Sequence, residues 1–151
     1  MRLRCLAGIA FLANMAAGQL PDDRLLKAEG EPQNWLTYSG SYRSWRYSSL
    51  NQIDRANAQT LKLAWVAQLP TAHRVETTPL VVDGIMYFTG PESDVIALDA
   101  STGRPFWHYR KPLPSKINVC CDTVNRGVAV LGDRVFVGTL DGHLVALSAK
   151  T

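Results

Sequence analysis

The chain has 151 residues, enough for one modest domain with a real core. Apolar residues make up 46% and charged residues 19%, the balance of an ordinary globular protein, so a disordered chain is excluded. The formal charge is +3, part of it from Arg2 and Arg4 at the extreme N-terminus, and so mild a charge gives no reason to expect a nucleic-acid partner.

Residues 1–18 read as a secretory leader. Arg2 and Arg4 supply a positive start, residues 5–13 form a short apolar run, and Ala16, Ala17 and Gly18 are small enough for a cleavage site. The run is too short to span a bilayer comfortably, so no stable transmembrane anchor is expected. The same residues would also suit a buried N-terminal helix. Export makes the expected location the periplasm. It also removes Cys5 and leaves Cys120 and Cys121, neighbours in sequence, in an oxidising compartment that favours their disulfide. In a reducing compartment two free, buried thiols would be the expectation instead.

Residues 19–62 read as an N-terminal arm. Its first part, residues 21–33, is polar, with a short helical pattern at 23–28. Aromatic residues then cluster at Trp35, Tyr38, Tyr42, Trp45 and Tyr47, and they are expected to pack the arm onto the rest of the chain. Asn57 can cap a single helical turn ending at Leu61.

Residues 63–151 carry short strands and turns. The first predicted strand is 63–69, with Leu63, Trp65 and Ala67 on one face; it would need a partner strand from elsewhere, expected from sequence C-terminal to this chain. Residues 78–82 follow, then the turn pair Asp83-Gly84, a strand at 85–89, a turn at 90–94, a strand at 95–98, a turn at Ser101-Thr102-Gly103 and a strand at 105–110. Strands of this length in succession suit a propeller blade.

The chain then repeats itself. Residues 97–102 (ALDAST) align with 146–151 (ALSAKT) at an offset of 49, and the alignment runs backwards without a gap through 86–88 on 135–137. A period of about 40–50 residues is the signature of propeller blades. The unit also carries Ala97, Asp99, Gly103 and Trp107 in the order A-x-D-x-x-x-G-x-x-x-W. Glycine permits the tight turn, and the tryptophan can pack between blades while its N–H reaches a neighbouring carbonyl. The fold class expected is therefore all-β, a partial β-propeller of about two blades, the second incomplete, preceded by the arm.

Three motifs make the pattern specific. The first is Trp35-Leu36-Thr37-Tyr38-Ser39-Gly40 followed by Arg46-Tyr47-Ser48-Ser49-Leu50 and Gln52-Ile53. The second runs from Glu76 through Thr77-Thr78-Pro79 to Tyr87. The third is Cys120-Cys121-Asp122-Thr123-Val124-Asn125-Arg126-Gly127. Together they resemble the N-terminal portion of the quinoprotein alcohol dehydrogenases that depend on pyrroloquinoline quinone (PQQ). The resemblance implies an eight-bladed propeller of which this chain is an N-terminal fragment. It also implies oxidation of a primary alcohol to an aldehyde, with electrons passed to cytochrome c. By resemblance Glu76 and Arg126 match residues that contact PQQ, and Cys120 and Cys121 match the disulfide ring lying against one face of it. The calcium or lanthanide ion that accompanies PQQ in this family, and the catalytic base, would be held by later blades; the resemblance places no catalytic residue and no metal ligand in this chain.

Elementary chemistry reaches part of this independently. Under the 49-residue offset Arg126 falls on Thr77, next to Glu76, so a guanidinium and a carboxylate sit at matching ends of successive blades. PQQ is a flat quinone with three carboxylates, and the planar fork of arginine suits a carboxylate. The alternative for Arg126 is a structural ion pair at the channel mouth. Adjacent cysteines have Cα atoms about 3.8 Å apart, short of the usual disulfide span, and strain of that kind tends to gather at functional sites. His73, His108 and His143 show no metal-ligand spacing, and Asp83, Asp99 and Asp141 read as turn residues. Two competing functions share the repeat: a non-enzymatic propeller scaffold of the cell envelope, and a quinoprotein sugar dehydrogenase. The scaffold would not need Glu76, Arg126 or the cysteine pair, and the cysteine pair points to the alcohol branch.

Overall fold

The computed structural model describes residues 20–69, 71 and 73–150; the expected leader, residues 1–18, lies outside them. Two antiparallel sheets follow one another. The first contains β1 (Leu80–Val82), β2 (Ile85–Thr89), β3 (Val95–Asp99) and β4 (Pro105–Tyr109) in that spatial order. The second contains β5 (Ala129–Leu131), β6 (Arg134–Gly138) and β7 (Leu144–Ser148). Every strand of the second sheet begins and ends 49 residues after its counterpart in the first. The all-β, partial-propeller reading is what the structure shows.

The first sheet has two apolar faces, and both are covered. On the first sheet, period-2 alternation sends Met86, Phe88, Ile96 and Leu98 to one side, where Trp65 and Leu69 lie against them. The other side carries Leu80, Val82, Tyr87, Val95 and Ala97, which share one core with Val130, Val135, Val137 and Ala149 of the second unit. Burying a side chain of this size contributes about 1.5–3 kcal/mol, so this shared face is the main joint between the sheets.

A tryptophan locks each joint. Trp107 on β4 donates its indole N–H to the carbonyl of Ala149, 3.2 Å away. Trp65 does the same to the carbonyl of Ala100, at 3.1 Å. Ala100 and Ala149 are equivalent positions of the repeat, so the two bonds are one joint made twice. Gly103 has a second reason to be glycine: a Cβ there would stand 2.7 Å from the Trp65 ring, and its φ is +73°. The turn Asp83-Gly84, by contrast, needs glycine for its conformation alone. Both residues are left-handed, with φ of 51° and 80°, which a two-residue hairpin between right-twisted strands requires.

The segment predicted as a strand at 63–69 is not one in the structure. It carries no ladder pairing, and Leu63 is largely exposed. A strand needs a hydrogen-bonded neighbour, and the described residues give this segment none; Trp65 anchors it through the ring and the indole N–H instead.

The arm is wedged onto both sheets. Leu20 exchanges backbone hydrogen bonds with Gly132 in the β5–β6 turn, and Trp35 does so with Val81 on β1. Between these ties lie α1 (Asp22–Leu26) and a 3₁₀ turn at Ala28–Gly30, which deliver Leu25 and Ala28 to the shared core with Leu20 and Leu36. The helical pattern read at 23–28 is therefore present. The turn near Asn57 is also present, as a 3₁₀ turn at Ala58–Thr60, although the Asn57 side chain accepts from the backbone of Asp54 rather than capping the turn. The aromatic cluster divides. Trp35 packs on the core, whereas Tyr38, Tyr42, Trp45 and Tyr47 are exposed. Arg43 and Arg46 instead stack over Trp45 and Tyr38.

Arg24 clasps the arm shut. Its Nε donates to Glu31 at 2.7 Å and its Nη1 to Asp83 at 2.8 Å, while Asn34 accepts the Asp83 backbone N–H at 2.9 Å. The Arg24 guanidinium holds both carboxyls below their ordinary values.

Two outcomes follow from these contacts. Gly103→Ala should lower stability by about 1–3 kcal/mol through overpacking on Trp65 plus a left-handed backbone. Gly84→Ala, left-handed but with open space around it, should cost about 1 kcal/mol at most. Thermal midpoints of the two variants check this, and equal losses would remove Trp65 as the cause. The second outcome concerns acid. Depressed carboxyl pKa values mean that the clasp contributes fully above the ordinary carboxylate range, about pH 4, and fades as the pH falls through the lower folded-state values. Arg24→Gln should therefore melt earlier than the parent at pH 7, and the gap should close as the pH drops below about 4. A gap that is constant with pH would contradict the clasp.

Candidate functional site

The predicted site residues lie on the two segments that enter the sheets. Glu76 belongs to the stretch before β1. Cys120, Cys121 and Arg126 belong to the long loop between β4 and β5. Both segments lack regular structure, so side-chain and backbone hydrogen bonds set their positions.

Glu76 and Arg126 are brought together, with Arg126 Nη1 3.0 Å from Glu76 Oε2. The pair is substantially exposed, at 69% for the Arg126 side chain and 39% for Glu76, and among the described residues Arg126 Nη1 alone meets a carboxylate. The neighbouring backbone explains the approach. The Thr78 N–H donates to the Arg126 carbonyl at 3.2 Å, so the two strand entries run side by side. Gly127 follows with φ +130°, and a Cβ there would press on the Thr78 carbonyl at 3.0 Å.

A polar strut beneath the pair holds it in place. Thr77 Oγ1 accepts the Thr89 N–H at 3.0 Å and donates its own proton to the Thr89 hydroxyl oxygen at 2.9 Å, which leaves the Thr89 hydroxyl to donate to the Asn125 carbonyl at 3.0 Å. Asn125 Nδ2 donates to the Gly138 carbonyl at 2.8 Å, and its Oδ1 accepts the Gly127 N–H at 3.1 Å. Thr89 is fully buried. A satisfied network of this kind is rigid, and it ties the backbone on both sides of Arg126 to both sheets.

Cys120 and Cys121 are joined as a disulfide, with Cα atoms 3.8 Å apart. The ring is exposed. Next in sequence, Asp122 is left-handed, with φ 68°. Its Oδ1 accepts the Thr123 N–H at 2.7 Å and faces His73 Nδ1 at 3.1 Å; its Oδ2 accepts the Arg74 N–H at 3.2 Å. The Thr123 N–H, then the Arg74 N–H, hold the Asp122 carboxyl below its ordinary value.

The three histidines each face a carboxylate: His73 on Asp122, His108 on Asp94 at 2.8 Å, His143 on Asp141 at 3.2 Å. Among the described residues no group of three His, Cys, Asp or Glu side chains could hold a metal ion. Asp99 is the turn residue its position suggested, accepting from the backbone of Ser101 and Thr102.

Sequence reasoning gave His73 no role, noted Asp122 only as a member of the third motif, and overlooked the strut through Asn125. A signal for the first pair was available. His73 and Asp122 are 49 residues apart, the period of the repeat, so the logic that set Glu76 beside Arg126 also sets His73 beside Asp122. No comparable signal marked Asn125, whose partners come from three different segments.

Comparison with known proteins agrees with this geometry. The sequence profile of the PQQ family described as glucose/ethanol/alcohol dehydrogenase, beta-propeller domain, matches residues 35–151. The dehydrogenase subunit of a quinone alcohol dehydrogenase from Gluconacetobacter polyoxogenes is 45% identical over 149 residues, covering 97% of this chain and 20% of that protein. The quinohemoprotein alcohol dehydrogenase ADH-IIG of Pseudomonas putida is 46% identical over 151 residues, covering 99% of this chain and 21% of that protein. The solved structure of that P. putida enzyme superposes with a TM-score of 0.82 over 88% of this chain and 20% of its own, at 46% identity. A europium-containing methanol dehydrogenase superposes with a TM-score of 0.75 at 37% identity, over 85% of this chain and 23% of its own. This chain thus spans about a fifth of the length of the relatives it matches. With the blade repeat, the Glu76–Arg126 pair and the bridged neighbouring cysteines already in place, the chain belongs to the PQQ-dependent glucose/ethanol/alcohol dehydrogenase β-propeller family.

Proposed function

We propose that this chain forms the N-terminal blades of an exported quinoprotein that oxidises primary alcohols to aldehydes and passes the electrons to cytochrome c. The observation that carries this reading is the conjunction at one end of the blades. An exposed arginine is paired to a glutamate through one guanidinium nitrogen, and the loop that supplies it also carries a disulfide between adjacent cysteines. The named relatives support it: two quinone or quinohemoprotein alcohol dehydrogenases and a 1-butanol dehydrogenase (cytochrome c) from Thauera butanivorans. The periplasm is the location that fits such an enzyme, and no helix among the described residues is long and apolar enough to cross a membrane.

The residues present suit PQQ. Arg126 is a permanent cation whose exposed fork can take one of the three carboxylates in a bidentate grip. Glu76 neutralises the rest of that guanidinium and keeps it aimed, and the strut under Asn125 keeps the backbone from yielding when the charge is drawn towards a ligand. The exposed Cys120–Cys121 ring offers a rigid, polarizable surface for a flat ring system. When bound, PQQ supplies the two-electron oxidation. The accompanying calcium or lanthanide ion and the base that takes the alcohol's proton belong, in this reading, to residues outside this chain.

Dye-linked ethanol oxidation tests the assignment. The chain alone, supplied with PQQ and calcium, should show no turnover, because it lacks a base within hydrogen-bond reach of a bound alcohol. A chimera joining this chain to the remaining four-fifths of ADH-IIG should turn over. In that chimera Arg126→Ala should weaken PQQ binding about 10- to 100-fold, the worth of a charge-assisted hydrogen bond. Turnover by the chain alone, or unchanged PQQ affinity in the Arg126→Ala chimera, would sink the assignment.

A further inference from the structure

Asp122 lies where two walls of the site meet. It is the first residue after the Cys120–Cys121 ring, so its position sets where the ring exits into the loop. Its carboxylate has contacts in two directions. Towards its own loop it accepts the Thr123 N–H. Towards the other segment it accepts the Arg74 N–H and faces the His73 imidazole, two and three residues before Glu76. A second tie runs parallel to these: the Glu92 N–H donates to the Thr123 carbonyl at 2.9 Å, and the Glu92 carboxylate stands 4.0 Å from His73 Nε2. Three residues in this knot, Asp122, Glu92 and Ser93, hold left-handed backbones at φ of 68°, 61° and 70°. Non-glycine residues adopt that region at a cost and persist there only when the surroundings over-determine them.

We propose that Asp122 is a positioning residue of the cofactor site: its carboxylate, gripped by His73 and the Arg74 N–H, clamps the disulfide ring to the segment that carries Glu76. The clamp fixes the separation between the platform and the charged pair. It rests on the cofactor reading for its purpose, but not for its existence. By favouring the loop conformation of the closed ring, the clamp also opposes the rearrangement that follows reduction, in proportion to its preference for that conformation.

The test uses the whole chain without cofactor. The oxidised protein is equilibrated with graded dithiothreitol, free thiols at Cys120 and Cys121 are counted with a labelling reagent, and thermal midpoints are recorded in parallel. Before reductant is added neither cysteine should label. Asp122→Ala should shift the reduction equilibrium at least 5-fold towards the dithiol, with the thermal midpoint nearly unchanged. Asp122→Asn, which keeps an oxygen acceptor for Arg74, should recover most of that shift. His73→Ala should give a smaller shift, and none beyond it in the Asp122→Ala background, because residues sharing one contact are not additive. Should Asp122→Ala fail to fold, the Asn variant and His73→Ala decide. Equal reduction equilibria in parent and variants, or additive effects of His73 and Asp122, would overturn the clamp. In the PQQ-loaded chimera, Asp122→Ala should weaken PQQ binding several-fold and Asp122→Asn should restore it; a clamp seen in the thiol experiment without any effect on PQQ would overturn the positioning role. A chimera that binds no PQQ at all would refute the cofactor reading instead, and the thiol experiment would still decide the clamp.

Discussion

Two sheets that share only an apolar face could slide across one another, since burial is non-directional. What fixes their register here is a directional contact, the Trp107 indole N–H reaching across to the Ala149 carbonyl at the end of the second unit's third strand; Trp65 makes the same contact to Ala100 and docks its own segment on the first sheet. The ring buries a large area while its one polar atom sets the angle. Tyr87 joins in, its ring 6.0 Å from that of Trp107 and its hydroxyl 3.4 Å from the same Ala149 carbonyl. Burial raises the pKa of that hydroxyl to about 12, so it remains a neutral donor across the physiological range. With the register set, the loops at one end of the sheets must converge, and the Glu76–Arg126 contact is a product of that convergence.

The site is accordingly built from irregular backbone on a regular base. The strut through Thr77, Thr89 and Asn125 transfers the rigidity of the sheets to the residues flanking Arg126. The arm supports the other side of the same sheets, with Leu20 against the second and Trp35 against the first. Lys111 and Asp141, 2.8 Å apart and both mostly buried, bind the start of the long loop to the β6–β7 turn. The loop is thus held near its beginning by Lys111, at its middle by Asp122 and near its end by Asn125, and the cysteine ring lies between the first two holds.

Much of this was legible in the sequence because the repeat carries it. The 49-residue offset located β5, β6 and β7 from β1, β2 and β3, and it placed Arg126 beside Glu76. Local signals did the rest for the hairpin at Asp83-Gly84 and the turn at Asp99. At residues 63–69 the alternation in the sequence is real, but no neighbouring strand completes a ladder among the described residues. Spacing also could not divide the aromatic cluster, since Trp35 is packed against the core by a backbone pairing with Val81 that no spacing in the arm announces. The second purpose of Gly103 was hidden for a related reason: the side chain that fills its empty space comes from 38 residues earlier, at Trp65.

That displacement between donor and acceptor has an evolutionary reading. The first unit offers a tryptophan to the unit after it and a carbonyl to the tryptophan before it, so a duplicate of this unit would carry both halves of its joints. Blade number can then change by copying, without a new interface having to be found. The carbonyls at Ala100 and Ala149 keep the 49-residue period, but the tryptophans at 65 and 107 lie closer together in sequence, so the loop from β4 to β5 is longer than the stretch between Trp65 and β1. The surplus length is spent where Cys120 and Cys121 are found. Architecture and chemistry are thus written in separable parts of the same chain, and the second can lengthen without disturbing the beat of the first.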